Sequence, residues 1–212
     1  AALRELDWGG CTVTLRINGL DTPYCYRDIV DVVEQSGRWL DTVLVPKASS
    51  AADIHLVATL LDQIEDAMGL ECKRIGISAL IETAPGMVKV DEIAAACPER
   101  MEALIFGVAD YAASMQSQTA SIGGSDRNYA VITDANGGGA DDRDLHWGDQ
   151  WHYPLSRIAV TCRAYGLRPI DGPFGDFHLT ALPCERPLLL SAGSGITPMW
   201  AMLRDELAKR PD

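Results

Sequence analysis

The stretch KRIGISALIE, from Lys73 to Glu82, is the part of the sequence that decides the fold class. Its apolar run predicts a buried strand, and a carboxylate follows directly. The stretch ALIFGVAD, from Ala103 to Asp110, repeats this plan, since a second apolar run leads to a second carboxylate. Helical patterns separate such runs along the chain. Strands that alternate with helices indicate an α/β fold with a parallel sheet and crossover helices.

The same alternation extends in both directions from this stretch. The predicted strands are Cys11–Ile17, Thr42–Val45, Lys73–Ile81, Ala103–Val108, Leu167–Ile170 and Pro187–Ser191. The predicted helices are Tyr24–Gln35, Ala51–Met68, Val88–Ala96, Trp151–Tyr165 and Pro198–Lys209. Residues 118–150 contain GG and GGG runs and a DDRD run, so we predict a long loop there. Such a loop in a compact domain is usually functional or variable in conformation.

Each of the first five predicted strands ends in a polar or charged residue placed at or just past the end of its apolar run. These residues are Arg16 with Asn18, Lys47, Glu82, Asp110 and Asp171. In a parallel α/β barrel the carboxyl ends of the strands converge on one face, where catalytic groups collect. An open doubly wound sheet would also bind ligands at its strand ends, at the point where the strand order reverses. In either architecture the pattern predicts a functional site.

Two carboxylates at strand ends, with no histidine or cysteine beside them, favour a hard cation such as Mg²⁺. A pair of carboxylates that act as acid and base without a metal, as in glycoside hydrolysis, is the alternative. The guanidinium group of Arg16 can bind a substrate carboxylate through two parallel hydrogen bonds. The alternative for Arg16 is a structural salt bridge inside the mouth of a barrel.

Composition and charge exclude several classes of protein. The formal net charge is −12, so the basic face that a nucleic-acid partner requires is not visible. The six cysteines are scattered without a C-x-x-C pair, which predicts a reducing, cytoplasmic environment. No apolar run reaches the roughly 18 residues that span a bilayer, so no membrane partner is expected. A length of 212 residues suits one sizeable core.

Several stretches resemble malyl-CoA lyases, within the citrate lyase β-subunit-like family. The resemblance runs from about residue 8 to residue 177. It is carried by LRINGLDTPYCYRD (Leu15–Asp28), VPKASSAAD (Val45–Asp53), LIETAPGMVKVDEIA (Leu80–Ala94), LIFGVADYAASM (Leu104–Met115), HWGDQWHYPLSRIAVTCRAYGL (His146–Leu167) and PIDGPFGDF (Pro169–Phe177). The resemblance implies a (β/α)8 barrel of TIM type. It also implies reversible cleavage of malyl-CoA or β-methylmalyl-CoA to glyoxylate and acetyl-CoA or propionyl-CoA.

The resemblance further implies a role for individual residues. Glu82 and Asp110 would ligate Mg²⁺, for which Mn²⁺ could substitute. Arg16 would bind the carboxylate of glyoxylate, or the matching end of malyl-CoA. The backbone N–H groups near Ala109 and Asp110 would help to orient the α-keto acid. Members of the family share active sites between subunits, which implies a homo-oligomer.

Two further residues have more than one expected role. Lys47 is expected either to contact a CoA phosphate or to pair with a carboxylate at the barrel mouth. Asp171 is expected to support the metal site or to cap a helix. The overall function also has an alternative within the same fold, because the same metal site could serve a malyl-CoA thioesterase.

Two departures from the family pattern are expected within a partial barrel domain of residues 1–177. No residues before Cys11 match the first two barrel strands. The eighth strand and the C-terminal lid, which supplies a catalytic acidic residue to a neighbouring subunit, have no match either. An inactive fragment that serves only as a binding module is therefore a third hypothesis.

Residues 178–212 are expected to form a foreign unit made of a strand, a glycine turn and a helix. RPLLLSAGSGITPMWAMLR, at Arg186–Arg204, resembles the nucleotide-binding segment of ferredoxin-reductase-type flavoproteins. The residues of the turn are Gly193, Ser194, Gly195 and Thr197. No flavin-binding R-x-Y-S-type motif accompanies them, so NAD(P) binding is not expected. We predict a chimera joined at Gly172–Phe177.

Overall fold

A computed structural model of the chain describes residue 3 and residues 8–117, 129–132, 145–147 and 150–170. The strands are β1 (Thr14–Arg16), β2 (Thr42–Val45), β3 (Gly76–Ile81), β4 (Met101–Phe106), β5 (Ala130–Ile132), β6 (Leu145–Trp147) and β7 (Arg168–Ile170). The α-helices are α1 (Cys25–Ser36), α2 (Ala51–Met68), α3 (Ala84–Val88), α4 (Val90–Ala95), α5 (Val108–Ser114) and α6 (His152–Tyr165). A short 3-10 helix covers Gly37–Trp39. Within the described ranges, no helix has the length and apolar character needed to cross a membrane.

Five of the strands form one sheet in the order β1–β2–β3–β4–β7. Every neighbouring pair in this sheet is parallel, so all five carboxyl ends lie on the same edge. Strands β1 to β4 follow one another along the chain with helices between them. The predicted α/β class with a parallel sheet is therefore confirmed. The sheet also brings the residues that follow β1 to β4 toward one edge.

The core of the molecule is built around β3, whose six residues are all buried. An uninterrupted apolar strand is typical of parallel sheets, since both of their faces are packed. Helix α2 contributes Ile54, Val57 and Leu61, which are fully buried and recur at helical spacing. Ser50 and Asp53 form a capping box at the start of this helix, and this local signal explains why its predicted start is confirmed.

Strands β1 and β3 begin later than predicted. Just before each strand, backbone N–H groups donate to side-chain carboxylates instead of to the carbonyl groups of a neighbouring strand. Before β1, the N–H of Val13 donates to the carboxylate of Asp41 at 2.7 Å. Before β3, the N–H groups of Lys73 and Ile75 donate to the carboxylate of Glu65 at 2.8 and 2.9 Å. Contacts between distant parts of the chain, rather than strand propensity, thus set where these strands start.

The predicted helix Val88–Ala96 is replaced by two short helices, α3 and α4. Helix α3 begins early because the Oγ1 of Thr83 accepts the N–H of Gly86 at 3.1 Å and so caps the helix. The backbone of Lys89 departs from helical geometry between the two helices. Helix α5, Val108–Ser114, is not predicted either, since the apolar pattern places its first residue, Val108, at the end of a strand.

The predicted loop at residues 118–150 contains two strands. β5 and β6 pair in antiparallel fashion, with Ala130 opposite Trp147. The prediction of an uninterrupted loop was wrong here, because strands of three residues are too short to give a periodic pattern among glycine and aspartate runs. The predicted strand Pro187–Ser191 and the predicted helix Pro198–Lys209 lie outside the described residues.

A buried ion pair lies at the opposite, amino edge of the sheet. Arg100 is 2% exposed, and its Nη2 donates to the Oε2 of the fully buried Glu65. The Nη1 of Arg100 also donates to the carbonyl oxygen of Ile75 at 2.7 Å. Arg100 directly precedes β4 and Ile75 directly precedes β3, so the pair ties helix α2 to the start of two central strands.

We expect Arg100→Met to destabilise the fold strongly. Methionine fills much of the buried volume but leaves the charge of Glu65 without its partner, a change that costs about 3–5 kcal/mol in buried pairs. Urea unfolding followed by circular dichroism measures the loss. The control is Lys73→Met, because Lys73 pairs with Glu99 at the surface. Loss of an exposed ion pair of this kind should change the free energy of unfolding only slightly. Equal and small effects of the two substitutions would contradict this role of Arg100.

Candidate active site

Three of the predicted site residues meet at the carboxyl edge of the sheet. Arg16 is the last residue of β1, and Glu82 directly follows β3. Asp110 is predicted to lie just past the end of a strand. In the structure it lies instead in the first turn of α5. Asp110 and Arg16 lie near enough to Glu82 for the charge of each to act on its pKa, Asp110 raising it and Arg16 lowering it.

Glu82 is 3% exposed, and its carboxyl group has hydrogen-bonding partners on two sides. Its Oε1 accepts the N–H of Lys47 at 2.9 Å, and its side chain is in hydrogen-bonding contact with Asp110. Burial raises the pKa of Glu82 to about 7, and the negative charge of Asp110 adds to this effect. The charge of Arg16 and the N–H of Lys47 act in the opposite direction. Near neutral pH the carboxyl group of Glu82 is therefore only partly ionised.

The main chain at Lys47 is held so that its N–H faces Glu82. Lys47 has a φ of 50°, in the left-handed region that residues with side chains rarely adopt. The hydroxyl of Ser49 donates to the carbonyl of Lys47 at 2.8 Å and lies 3.2 Å from the Oγ1 of Thr83. The side chain of Lys47 is exposed, so its described contact with the site is made by the backbone. A contact between this side chain and a CoA phosphate stays a prediction.

Gly107 was not predicted as part of the site, yet it lies directly against Glu82. A Cβ placed on Gly107 would fall 2.5 Å from the Cβ of Glu82 and 2.7 Å from its Oε2. The sequence signal that could have pointed to it is a glycine immediately after the apolar run of β4. That signal is weak on its own, because glycine after a strand is also common in ordinary turns.

The other predicted residues either lie apart from this group or are outside the described residues. Asn18 donates its backbone N–H and its Nδ2 to the carboxylate of Asp28, both at 2.7 Å, and so braces the loop between β1 and α1. Ala109 is exposed and precedes Asp110 in α5. The predicted residues outside the described ranges are Asp171, Gly193, Ser194, Gly195 and Thr197.

The donor set suits a hard divalent cation. Mg²⁺ prefers oxygen ligands, keeps several waters and takes only one or two protein carboxylates. A cation between Glu82 and Asp110 would take the place of a proton and offset their mutual repulsion. Across the described ranges no group of three or more His, Cys, Asp or Glu side chains could hold a metal. Water and substrate oxygens would therefore complete the coordination.

The contact between the two carboxyl groups also disfavours the alternative chemistry of a glycosidase. Glycosidases keep their two carboxyl groups about 5 Å or more apart, because the two groups flank the glycosidic bond that is cleaved. The side chains of Glu82 and Asp110 are instead within hydrogen-bonding contact of each other. An arrangement this close suits joint ligation of one ion.

Comparison with known proteins finds one family model that matches most of the chain. The model is described as HpcH/HpaI aldolase/citrate lyase, and it matches residues 1–172. The L-malyl-CoA/beta-methylmalyl-CoA lyase of Cereibacter sphaeroides is 45% identical over 176 residues, which are 83% of this chain and 52% of that protein. The protein of the same name from Rhodobacter capsulatus is 40% identical over 207 residues, which are 98% of this chain and 62% of that protein. The chain thus spans less than two thirds of either relative.

A solved structure shows the same relationship at the level of the fold. The protein CitE of Mycobacterium tuberculosis, in complex with magnesium, acetoacetate and coenzyme A, matches 74% of this chain and 44% of its own chain. The TM-score is 0.50 and the sequence identity is 26%. None of these three proteins supports the predicted change to a ferredoxin-reductase-type segment after Phe177, and the Rhodobacter capsulatus relative aligns over nearly the whole chain.

The raised pKa of Glu82 predicts that the stability of the cation-free protein depends on pH. Between the ordinary pKa of 4.5 and about 7, the folded chain keeps a proton that the unfolded chain has lost. Stability should therefore fall as the pH rises through this window, by up to about 3 kcal/mol from this group. Urea unfolding in the presence of EDTA measures the slope.

Glu82→Gln should remove this part of the slope, because glutamine does not titrate. Glu92→Gln is the matched control, since Glu92 is an exposed glutamate on α4. The control should keep the slope of the unmodified chain. If Glu82→Gln also keeps it, the pH dependence arises elsewhere and the protonation of Glu82 is refuted.

Proposed function

Because the chain belongs to the HpcH/HpaI aldolase/citrate lyase family, we propose that it carries the Mg²⁺-dependent site of a carbon–carbon lyase. The proposed reaction is the reversible cleavage of malyl-CoA or β-methylmalyl-CoA to glyoxylate and acetyl-CoA or propionyl-CoA. The names of the two relatives support this substrate class. The observation that carries the proposal is the close approach of Glu82 and Asp110, beside Arg16, at the carboxyl edge of a parallel sheet.

Glu82 and Asp110 would hold the cation, which we propose to be Mg²⁺ or Mn²⁺. The bound cation supplies Lewis-acid polarisation of the carbonyl group of the α-keto acid. The N–H of Lys47 fixes the Oε1 of Glu82 and thereby directs the carboxylate toward Asp110. The solved relative that contains magnesium, acetoacetate and coenzyme A supports this combination of cation, oxo acid and CoA.

Arg16 would bind the carboxylate of glyoxylate, or the corresponding end of the malyl group. A guanidinium group can donate two parallel hydrogen bonds to a carboxylate, which fixes its orientation as well as its position. Strand β2 lies between β1 and β3, so Arg16 and Glu82 are separated by one strand of the sheet. The backbone N–H groups near Ala109 and Asp110 would orient the keto acid from the side of α5.

In the cleavage direction the bond between the hydroxyl-bearing carbon and the carbon next to the thioester breaks. The hydroxyl group loses its proton and becomes the aldehyde oxygen of glyoxylate. The electron pair of the broken bond passes to the thioester as an enolate, which takes up a proton to give acetyl-CoA. Arg16 would stabilise the negative charge that develops near it, and electrostatic stabilisation of this kind is usually a large part of catalysis.

The parallel sheet would form part of a (β/α)8 barrel of TIM type. Four consecutive strands with helices between them, and a site at their carboxyl edge, match the plan of such a barrel. The boundary at residue 177, the missing first two strands and lid, and the separate unit at 178–212 stay predictions. A homo-oligomer and a contact between Lys47 and a CoA phosphate also belong to this proposal.

An assay with two separate readouts distinguishes the lyase from the thioesterase. The purified chain is incubated with malyl-CoA and Mg²⁺, and glyoxylate and free thiol are followed independently. We expect glyoxylate without free thiol, because cleavage of the carbon–carbon bond leaves the thioester intact. Free thiol together with malate would instead identify a thioesterase. The absence of both products from a folded chain would overturn both activities and leave a binding module.

Binding experiments test the site without requiring turnover. Glu82→Gln should weaken Mn²⁺ binding by more than about 100-fold, because it removes a charged ligand rather than a supporting group. Arg16→Gln should retain the cation but weaken the binding of glyoxylate to the cation-loaded chain. Calorimetric titration with Mn²⁺, followed by titration with glyoxylate, separates the two effects. Glu92→Gln serves again as the control and should match the unmodified chain in both titrations.

Unchanged Mn²⁺ binding in Glu82→Gln would refute the metal assignment. Loss of the cation in Arg16→Gln, with the fold intact, would show that Arg16 supports the carboxylates rather than the substrate.

A further inference from the structure

Gly107 occupies a position whose backbone does not require glycine. Its φ and ψ are −103° and 87°, and a negative φ of this size is open to residues with side chains. No turn with a positive φ explains its presence, as one does at Gly69, where φ is 62°. The reason for glycine at residue 107 must therefore be space.

The space that a side chain would fill at Gly107 is taken by Glu82. An added Cβ would lie 2.5 Å from the Cβ of Glu82, 2.7 Å from its Oε2 and 3.4 Å from its Cδ. Rotation of the Glu82 side chain cannot relieve the first of these contacts, because the Cβ is fixed to the main chain. The N–H of Gly107 donates to the carbonyl of Ile81 at 3.1 Å, so the two main chains are tied together at this point.

We propose that Gly107 is a positioning residue of the cation site, and this inference rests on the proposed function. By lacking a side chain, Gly107 lets the carboxylate of Glu82 lie against the main chain that leads from β4 into α5. Asp110 lies on the first turn of that helix, three residues further on. Any side chain at residue 107 would push the two carboxylates apart, since each is anchored to one of the two main chains that would have to separate.

Gly76 is a matched control for Gly107, because a Cβ added at Gly76 would also lie very close to a glutamate side chain. A Cβ at Gly76 would lie 2.3 Å from the Oε1 of Glu102, and its three nearest atoms all belong to that side chain. The side chain of Glu102 is 39% exposed and pairs with Arg168 at the surface. It can swing away, because only surface contacts hold it. Gly76 is the first residue of β3, at the opposite end of the strand from Glu82.

The test compares Mn²⁺ binding by the unmodified chain, Gly107→Ala and Gly76→Ala. We expect Gly107→Ala to bind Mn²⁺ roughly 10-fold or more weakly, as is found when groups that orient metal ligands are altered. Gly76→Ala should stay within about twofold of the unmodified chain, because Glu102 lies far from the site. Electron paramagnetic resonance of free Mn²⁺ measures binding, and circular dichroism reports the fold of each variant.

The outcomes separate this inference from the proposed function. A folded Gly107→Ala that binds Mn²⁺ as tightly as the unmodified chain overturns the positioning role alone. Failure of the unmodified chain to bind Mn²⁺ overturns the proposed function, and the positioning role falls with it. A loss of binding in Gly76→Ala equal to that in Gly107→Ala also overturns the inference.

A second variant decides the case in which Gly107→Ala does not fold. The double variant Glu82→Gly with Gly107→Ala removes the Cβ that the new alanine would meet. Recovery of the folded state in the double variant supports the inference, because it identifies Glu82 as the group for which Gly107 makes room. Continued failure to fold overturns it, because some other contact must then exclude a side chain at residue 107.

Discussion

The carboxyl group of Glu82 is taken out of water at the end of the most deeply buried strand, and several separate parts of the chain converge on it. Burying an ionisable group without compensation is costly, so its surroundings are constrained. Arg16 acts from the end of β1, the N–H of Lys47 from the loop after β2, and Asp110 from α5. Gly107 provides the room in which the carboxylate lies. The parallel sheet is what brings these groups, from positions up to 94 residues apart in the sequence, to one edge.

Each edge of the sheet has a buried glutamate, and the groups around the two glutamates differ. At the amino edge, Glu65 is matched by the buried guanidinium of Arg100 and by backbone N–H groups of neighbouring segments. At the carboxyl edge, Glu82 faces a second carboxylate, that of Asp110, and its pKa is raised to about 7 by burial and by that charge. The first arrangement is complete within the chain and holds the fold together. The second leaves negative charge to be matched, which is what a cation-binding site requires.

Much of the fold, and part of the candidate site, could be predicted from the sequence, because local sequence patterns determine them. The bounds of β2 and of α2 are those that the apolar pattern indicates, and the capping box at Ser50 fixes the start of the helix. The residues Arg16 and Glu82 were predicted at the carboxyl edge because a parallel sheet leaves little choice about where strand ends lie.

Contacts between distant residues could not be predicted in the same way. The late start of β3 depends on Glu65, which lies on another element. The role of the Lys47 backbone depends on a positive φ that its side chain does not favour, so the sequence pointed to the side chain instead. Gly107 looks like an ordinary turn residue until the distance to Glu82 is known. In each case the missing information is a distance across the fold, which no pattern of neighbouring residues contains.

Because the site residues lie close together in one part of the chain, the binding of a cation can be considered separately from catalytic turnover. Arg16, Glu82, Gly107 and Asp110 all lie within residues 16–110, a section that the structure describes without a gap. Binding of a cation and of a small keto acid depends on these side chains and on the sheet that carries them. Cleavage of a CoA thioester involves a much larger ligand, and the relatives named as lyases are considerably longer than this chain. Cation binding and its proton dependence are therefore the properties by which the site itself is to be judged.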